Sequence, residues 1–212
     1  MHTPAHCSAP FGHAAFAKIT RIFPIMFTNP LRCGKIISEV DIMNETINTL
    51  LSRRSCRSFD GKQITDEQLN AILEAGKFAP TGMGKQSPIM VVLQDKDDIA
   101  ELSRMNAAIM GVDTDPFYGA PTVVIVLADK NVGTYIYDGA LVMGNLMNAA
   151  EAVGVQSCWI HRAKEEFESP EGKALLKKWG IEGDYEGIGH CVLGYGEKVP
   201  AKPRKANYVY KV

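Results

Sequence analysis

The chain has no C-x-x-C pair. Its five cysteines, Cys7, Cys33, Cys56, Cys158 and Cys191, are odd in number and widely spaced. That disfavours a disulfide scaffold, a zinc knuckle and an iron–sulfur cluster, and it fits a reducing cytoplasm. Cys158 and Cys191 read as small buried hydrophobes. No H-E-x-x-H occurs, and no metal ligands are assigned. No G-x-x-x-x-G-K-[ST] follows a strand, which removes the P-loop, and no complete G-x-G-x-x-G opens a helix, which disfavours a dinucleotide Rossmann site. Net charge is nearly absent as well: 23 Lys and Arg against 24 Asp and Glu leave −1. A generally basic nucleic-acid binder is disfavoured on that balance, and any positive field has to be local. Long apolar runs are missing too. Residues 22–27 are apolar but too short to span a bilayer, Pro24 breaks them, and no clean cleavage site follows.

What is present is an ordinary globular composition, 46% apolar and 22% charged over 212 residues, enough for one sizeable core. Residues 1–44 show no sustained period and read as an N-terminal extension, poorly ordered, with the functional domain over 45–212 and Met43 at its start. Within that domain, Ile47, Leu50 and Leu51 recur at helical spacing and predict a short helix with one buried face. Thr65 and Gln68 form a capping box at the head of a helix that ends near Phe78. Ile89–Leu93 reads as a buried strand, and a helix runs from Asp97 to about Met110. Residues 111–121 form a long loop, and Thr122–Leu127 is a central strand. Tyr135–Val153 is apolar nearly all round and must be covered on several sides, at the domain centre or at a subunit interface. A strand over Val155–Ile160, a helix opening at Pro170 and a last strand over Glu186–Tyr195 complete the alternation. The end of the chain, from Lys198, reads as extended and resting against something. The sum is an α+β layered domain with a mixed sheet.

Arg53, Arg54, Ser55, Arg57 and Ser58 crowd the end of the first helix. The helix dipole accounts for part of that clustering. Three arginines and their serines exceed what a helix end requires, and they suit a phosphate. A second cluster, Lys202-Pro203-Arg204-Lys205, is held extended by its proline. The two together make a clamp for one phosphate dianion, whereas either alone reads equally well as solvated charge. His161, Asp184 and His190 offer no convincing nucleophilic triad, and His190 reads as a core or interface residue.

These pieces, with Ala79-Pro80-Thr81-Gly82-Met83-Gly84-Lys85-Gln86-Ser87-Pro88 and Ser157-Cys158-Trp159-Ile160-His161-Arg162, stand in an order that resembles the FMN-dependent nitroreductase family from Ile47 to the end. The resemblance implies an α+β nitroreductase-like layered fold, with a central mixed or antiparallel sheet flanked by helices. It also implies an intertwined homodimer with FMN in interface sites. On that resemblance Arg53, Arg54 and Ser55 bind the FMN phosphate and ribityl, and Lys202 and Arg204 close on the phosphate. Arg57 faces the pyrimidine edge of the ring. Pro80, Thr81 and Gly82 reach the flavin from the partner subunit, and the backbone of Ile160, His161 and Arg162 faces N5. The family often has Asn-x-Gln-Pro after the loop. Here Gly84 stands in place of that Asn, and Gln86 is the candidate substitute.

Flavin would carry the chemistry, so no catalytic side chain is assigned. The implied cycle is ping-pong: NADH or NADPH donates, then an electron-poor small molecule such as a nitroaromatic or quinone accepts. Phe117 and Tyr118 are candidates to line the acceptor pocket, or else loop anchors in the core. The rival class is a non-catalytic flavin-binding or sensing protein, separated by whether nicotinamide donors bleach the flavin. Nucleic-acid and membrane partners are not expected, and the location expected is cytoplasmic.

Overall fold

The structure, a computed structural model, describes residues 44–212. The expected N-terminal extension, with Cys7, Cys33 and the 22–27 run, lies outside the described residues.

Helix α1 (Glu45–Ser52) starts at Asn44, whose side chain accepts from the Ile47 amide at 3.1 Å. The expected buried face is not buried among the described residues: Leu50 and Leu51 are about half exposed, because α1 packs only lightly there. Helix α2 (Asp66–Lys77) has the predicted capping box between Thr65 and Gln68, and it buries Leu69, Ile72 and Gly76. After a short 3₁₀ turn (Gly82–Gly84) come β1 (Pro88–Leu93), α3 (Lys96–Met110) and β2 (Thr122–Asp129). They are followed by α4 (Tyr135–Ala152), β3 (Gln156–Ile160), α5 (Ala163–Glu168), α6 (Pro170–Lys178) and β4 (Tyr185–Gly194). Ser169 separates α5 from α6: its hydroxyl donates to the Glu166 carbonyl at 2.6 Å and accepts from the Gly172 amide at 3.0 Å.

The sheet runs β1-β2-β4-β3 and all its ladders are antiparallel. β1 is an edge strand in which only Leu93 is buried, so the expected buried run is corrected: one side of its ladder has no neighbour among the described residues. β2 is the central strand, buried from Thr122 to Ala128. Its side chains alternate between two cores, as the pleat requires. Val124, Val126 and Ala128 face α2 and α4 through Ile72, Met143 and Leu146. Val123, Ile125 and Leu127 join Leu102 and Met105 of α3, Phe167 of α5 and Leu175 of α6. The architecture is therefore helices on both faces of an antiparallel sheet, an α+β domain. Outside the named strands, one parallel bridge joins Ser55 to Ser157 at the β3 edge.

Helix α4 buries Asp138, Gly139, Val142, Met143, Leu146 and Ala150, yet leaves Ile136, Tyr137 and Leu141 exposed. Residues 196–212 are exposed throughout. Their expected support is not provided within one chain. Among the described residues, no helix is long and apolar enough to cross a membrane.

Candidate functional site

The first arginine cluster is built on the open edge of β3. The Cys56 amide donates to the Ser157 carbonyl at 2.9 Å, which ties the segment after α1 to the strand. The Arg54 guanidinium turns back and donates to the Leu51 and Arg53 carbonyls at 2.8 and 2.6 Å, capping α1. Arg53 is half-buried, and its Nη1 is buried without a hydrogen-bond partner. Ser55 hydrogen-bonds the Cys158 thiol, and Arg57 lies near enough to favour its thiolate, but burial dominates and pushes that thiol up. Burial does the same more strongly at Cys191.

Glu151, at the C-terminal end of α4, anchors the surroundings. It accepts from the Ser52 hydroxyl at 2.6 Å and from the Lys198 ammonium. Burial raises its carboxyl, but the hydrogen bonds from Lys198 and Ser52 and the nearby Arg53 charge outweigh that and hold it below the ordinary range. Lys198 thus brings the start of the C-terminal segment beside Arg53. Lys202 and Arg204, the second predicted cluster, are exposed beyond it. None of Arg53, Arg54, Arg57, Lys202 and Arg204 forms an ion pair among the described residues.

The Pro80–Gln86 loop is held elsewhere. Buried Asp138, near the N-terminal end of α4, accepts from the Gly82 amide at 2.9 Å, the Ser87 hydroxyl at 2.8 Å and the Thr134 hydroxyl at 3.0 Å. Burial raises its carboxyl, but those three hydrogen bonds together hold it below the ordinary value. The approach is close enough that a Cβ on Gly82 would meet Thr134 Oγ1 at 2.3 Å. Met83 and Gln86 take left-handed backbone, with φ 53 and 50, conformations that side-chain-bearing residues adopt mainly where surroundings impose them. Asp138 and Glu151 are thirteen residues apart on one helix, about 20 Å at 1.5 Å per residue. One chain therefore separates this loop from the arginine cluster.

The turn after β3 is fixed by Asn106 of α3, which is fully buried. Asn106 donates to the His161 carbonyl at 2.8 Å and accepts from Arg162 Nε at 3.0 Å. Ile160 is buried, His161 is exposed, and Arg162 has φ 78. Phe117 anchors its loop in the core, fully buried with its ring 5.3 Å from that of His190. It has no surface to present to a ligand. Tyr118 beside it is 36% exposed, at φ 57. His190 is a core residue paired with buried Glu166. A cavity of about 910 Å³ lies between α3 and the 112–121 loop, lined by Gln63, Gln94, Ser103, Ala107, Asp115 and Pro121 among others, and it contains none of the predicted site residues. Among the described residues, no group of three or more His, Cys, Asp or Glu side chains is placed to hold a metal ion.

Three residues that organise these parts were not among the predicted site residues: Glu151, Asp138 and Asn106. Asp138 and Glu151 leave a trace in the sequence, as the two acids of an otherwise apolar helix, where a buried charge demands partners.

Comparison with known proteins bears on the whole segment. The model of the nitroreductase family matches residues 50–195. The NADPH-flavin oxidoreductase of Vibrio harveyi is 29% identical over 186 residues, covering 79% of this chain and 72% of its own. A nitroreductase with bound FMN from Bacteroides fragilis aligns with a TM-score of 0.74 at 32% identity, covering 80% of this chain and 99% of that one. A nitroreductase with bound FMN from Desulfitobacterium hafniense aligns at 0.71 and 27%, covering 80% and 100%.

Proposed function

The chain belongs to the nitroreductase family, and we propose that it is an FMN-dependent NAD(P)H oxidoreductase that reduces nitroaromatics, quinones or similar electron-poor acceptors. The observation that carries this reading is the buried Nη1 of Arg53, which has no partner in a cluster with no carboxylate of its own to spare. A buried guanidinium donor without an acceptor is costly. A phosphate removes that cost and suits the planar fork of donors.

Arg53 and Ser55, on the turn that Arg54 caps, would hold the FMN phosphate and ribityl, with Lys202 and Arg204 closing from the C-terminal segment. Arg57 would stand at the pyrimidine edge, where a cation favours the negative charge of the reduced ring. The turn of Ile160, His161 and Arg162, locked by Asn106, would present backbone donors to the ring. The chemistry the group supplies when bound is hydride exchange, first with the nicotinamide donor and then with the acceptor, in a ping-pong cycle. The protein's share is binding, orientation and electrostatics, so no side-chain base is required. Tyr118 is the partly exposed aromatic available to an acceptor pocket.

The separation of Pro80, Thr81, Gly82 and Gln86 from the arginine cluster supports a site completed by a second copy of the chain. In a homodimer, the loop of one protomer reaches the flavin held by the other.

The test is the visible absorption spectrum of the purified protein, with the chromophore identified after heat release, followed by anaerobic addition of NADH or NADPH. A chromophore identified as FMN after release, with the protein-bound flavin bleached by the donor within a turnover time, is the expected result. A colourless protein that takes up no added FMN overturns the reading. Bound flavin that neither donor bleaches leaves a flavin-binding protein without the oxidoreductase activity.

A further inference from the structure

Arg162 is held with unusual care for a residue whose proposed role lies in its backbone. Both ends of the buried Asn106 amide are spent on this turn, one on the His161 carbonyl and one on Arg162 Nε. The arginine sits at φ 78, backbone that a residue with a Cβ seldom adopts. Its position is thus imposed by α3 and not by local preference. Asn106 engages only Nε, and the two Nη groups have no hydrogen-bond partner among the described residues. Nor does a carboxylate among the described residues neutralise it. Glu166 is taken by His190, and Glu165 forms no ion pair with it. One helical turn beyond Asn106, on the same face of α3, Ile109 and Met110 are 41% and 52% exposed. Arg162 is therefore a fixed cation with both Nη groups free among the described residues, held by the face of α3 that carries Ile109 and Met110 one turn on.

We propose that Arg162 determines specificity, by binding a carboxylate or similar anionic substituent on an aromatic acceptor. The proposal rests on the oxidoreductase reading above, which puts this turn beside the ring where the acceptor stacks. The chemistry fits an aryl acid. The apolar surface takes the ring, and the guanidinium fork takes the substituent in a bidentate, charge-assisted pair. A nicotinamide donor fits less well, because its nearest phosphate is separated from the reacting ring by a ribose. An aryl carboxylate is attached to the ring itself.

The experiment uses the FMN-loaded protein. Binding of benzoate and of its neutral isostere benzamide, neither of them reducible by the flavin, is measured by titration calorimetry at low salt and at 0.5 M NaCl. In the wild type benzoate binds about tenfold more tightly, and the advantage shrinks with salt, as for an ion pair that is partly exposed. In Arg162→Asn, chosen because Asn tolerates left-handed backbone, the advantage disappears, and Arg162→Lys restores part of it. In stopped-flow reoxidation, the ratio of rate constants for 4-nitrobenzoate and 4-nitrobenzamide falls about tenfold in Arg162→Asn. A wild type that binds benzoate no better than benzamide overturns the proposal without any variant. An equal loss with both acceptors also overturns it, by assigning Arg162 to the turn's geometry alone. A loss confined to reduction by NADH or NADPH overturns it in favour of the donor. A protein that takes up no FMN shows no flavin spectrum before any titration begins, and it overturns the oxidoreductase reading and this one with it.

Discussion

Asp138 carries more of the site than any residue the sequence advertises. Its carboxylate serves the Gly82 amide and two hydroxyls at once, and it sits 2% exposed in the first turn of an apolar helix. Replacing it with Ala strands the half-buried Gly82 amide and the buried Ser87 hydroxyl. We expect Asp138→Ala to cost about 1–3 kcal/mol in urea unfolding and to loosen the Pro80–Gln86 loop. The pH dependence has a definite sign. The folded carboxyl titrates below the ordinary 3.8 of Asp, so the ionised form is favoured by folding. That contribution is complete above 3.8 and is lost as pH falls through the lower folded value. The melting-temperature gap between wild type and Asp138→Ala should therefore be constant near neutral pH and narrow only below about pH 4. A gap that narrowed between pH 7 and 5 would contradict this assignment. Residues of this kind are hard to see in a sequence because their partners are remote. Asp138 meets Gly82 across 56 positions, Asn106 meets His161 across 55, and Ser52 meets Glu151 across 99. The arginine cluster was legible because its members are contiguous.

At the scale of elements, legibility followed the range of the signal. The Thr65–Gln68 capping box is a three-residue pattern, and it appears as read. The unbroken β-branched run of β2 announces a strand covered on both faces, and β2 is that strand. β1 has a similar run but is an edge, because composition reports apolarity and not how many neighbours a strand will find. α5 was missed: six residues are too few for helical periodicity to register. α4 combines both situations, and its glycines separate them. A Cβ on Gly139 would meet Ile188 Cγ1 at 2.5 Å, whereas one on Gly144 meets nothing within 4 Å. Gly139→Ala overpacks the contact of α4 with β4 and should lower stability by about 1–3 kcal/mol. Gly144→Ala improves helix propensity and should raise the stability of the single chain by roughly 0.5–1 kcal/mol. Paired urea denaturation curves decide the matter. If both substitutions shift the midpoint in the same direction, the packing of α4 against the sheet is not as described.

The whole molecule leaves exposed what a lone domain would cover. Ile136, Tyr137 and Leu141 on α4, Leu50 and Leu51 on α1, and Tyr208, Val209 and Tyr210 near the C-terminus are all exposed within one chain. Surfaces of this sort mark contacts with other chains. The C-terminal segment adds charge to apolarity: Lys198, Lys202, Arg204, Lys205 and Lys211 include no acidic neighbour from 198 onward, in a chain whose total is −1. Among the described residues, its one ion pair with the folded body is Lys198 to Glu151. The segment therefore contributes little to the stability of its own domain, and its composition suits two tasks, closing on a phosphate and holding a second protomer. These tasks separate experimentally. Deleting residues 198–212 should leave the domain folded by circular dichroism, convert the proposed homodimer to monomer in sedimentation velocity, and strip the flavin. Replacing only Lys202 and Arg204 with Ala should leave the dimer intact while weakening FMN binding by about 1.5–3 kcal/mol for each charged hydrogen bond lost. If the truncated protein remains dimeric and yellow, the segment has neither role, and the exposed faces of α1 and α4 must build the interface alone. If the double variant loses the dimer along with the flavin, the phosphate clamp and the subunit contact are one structure, with the cofactor itself joining the two protomers.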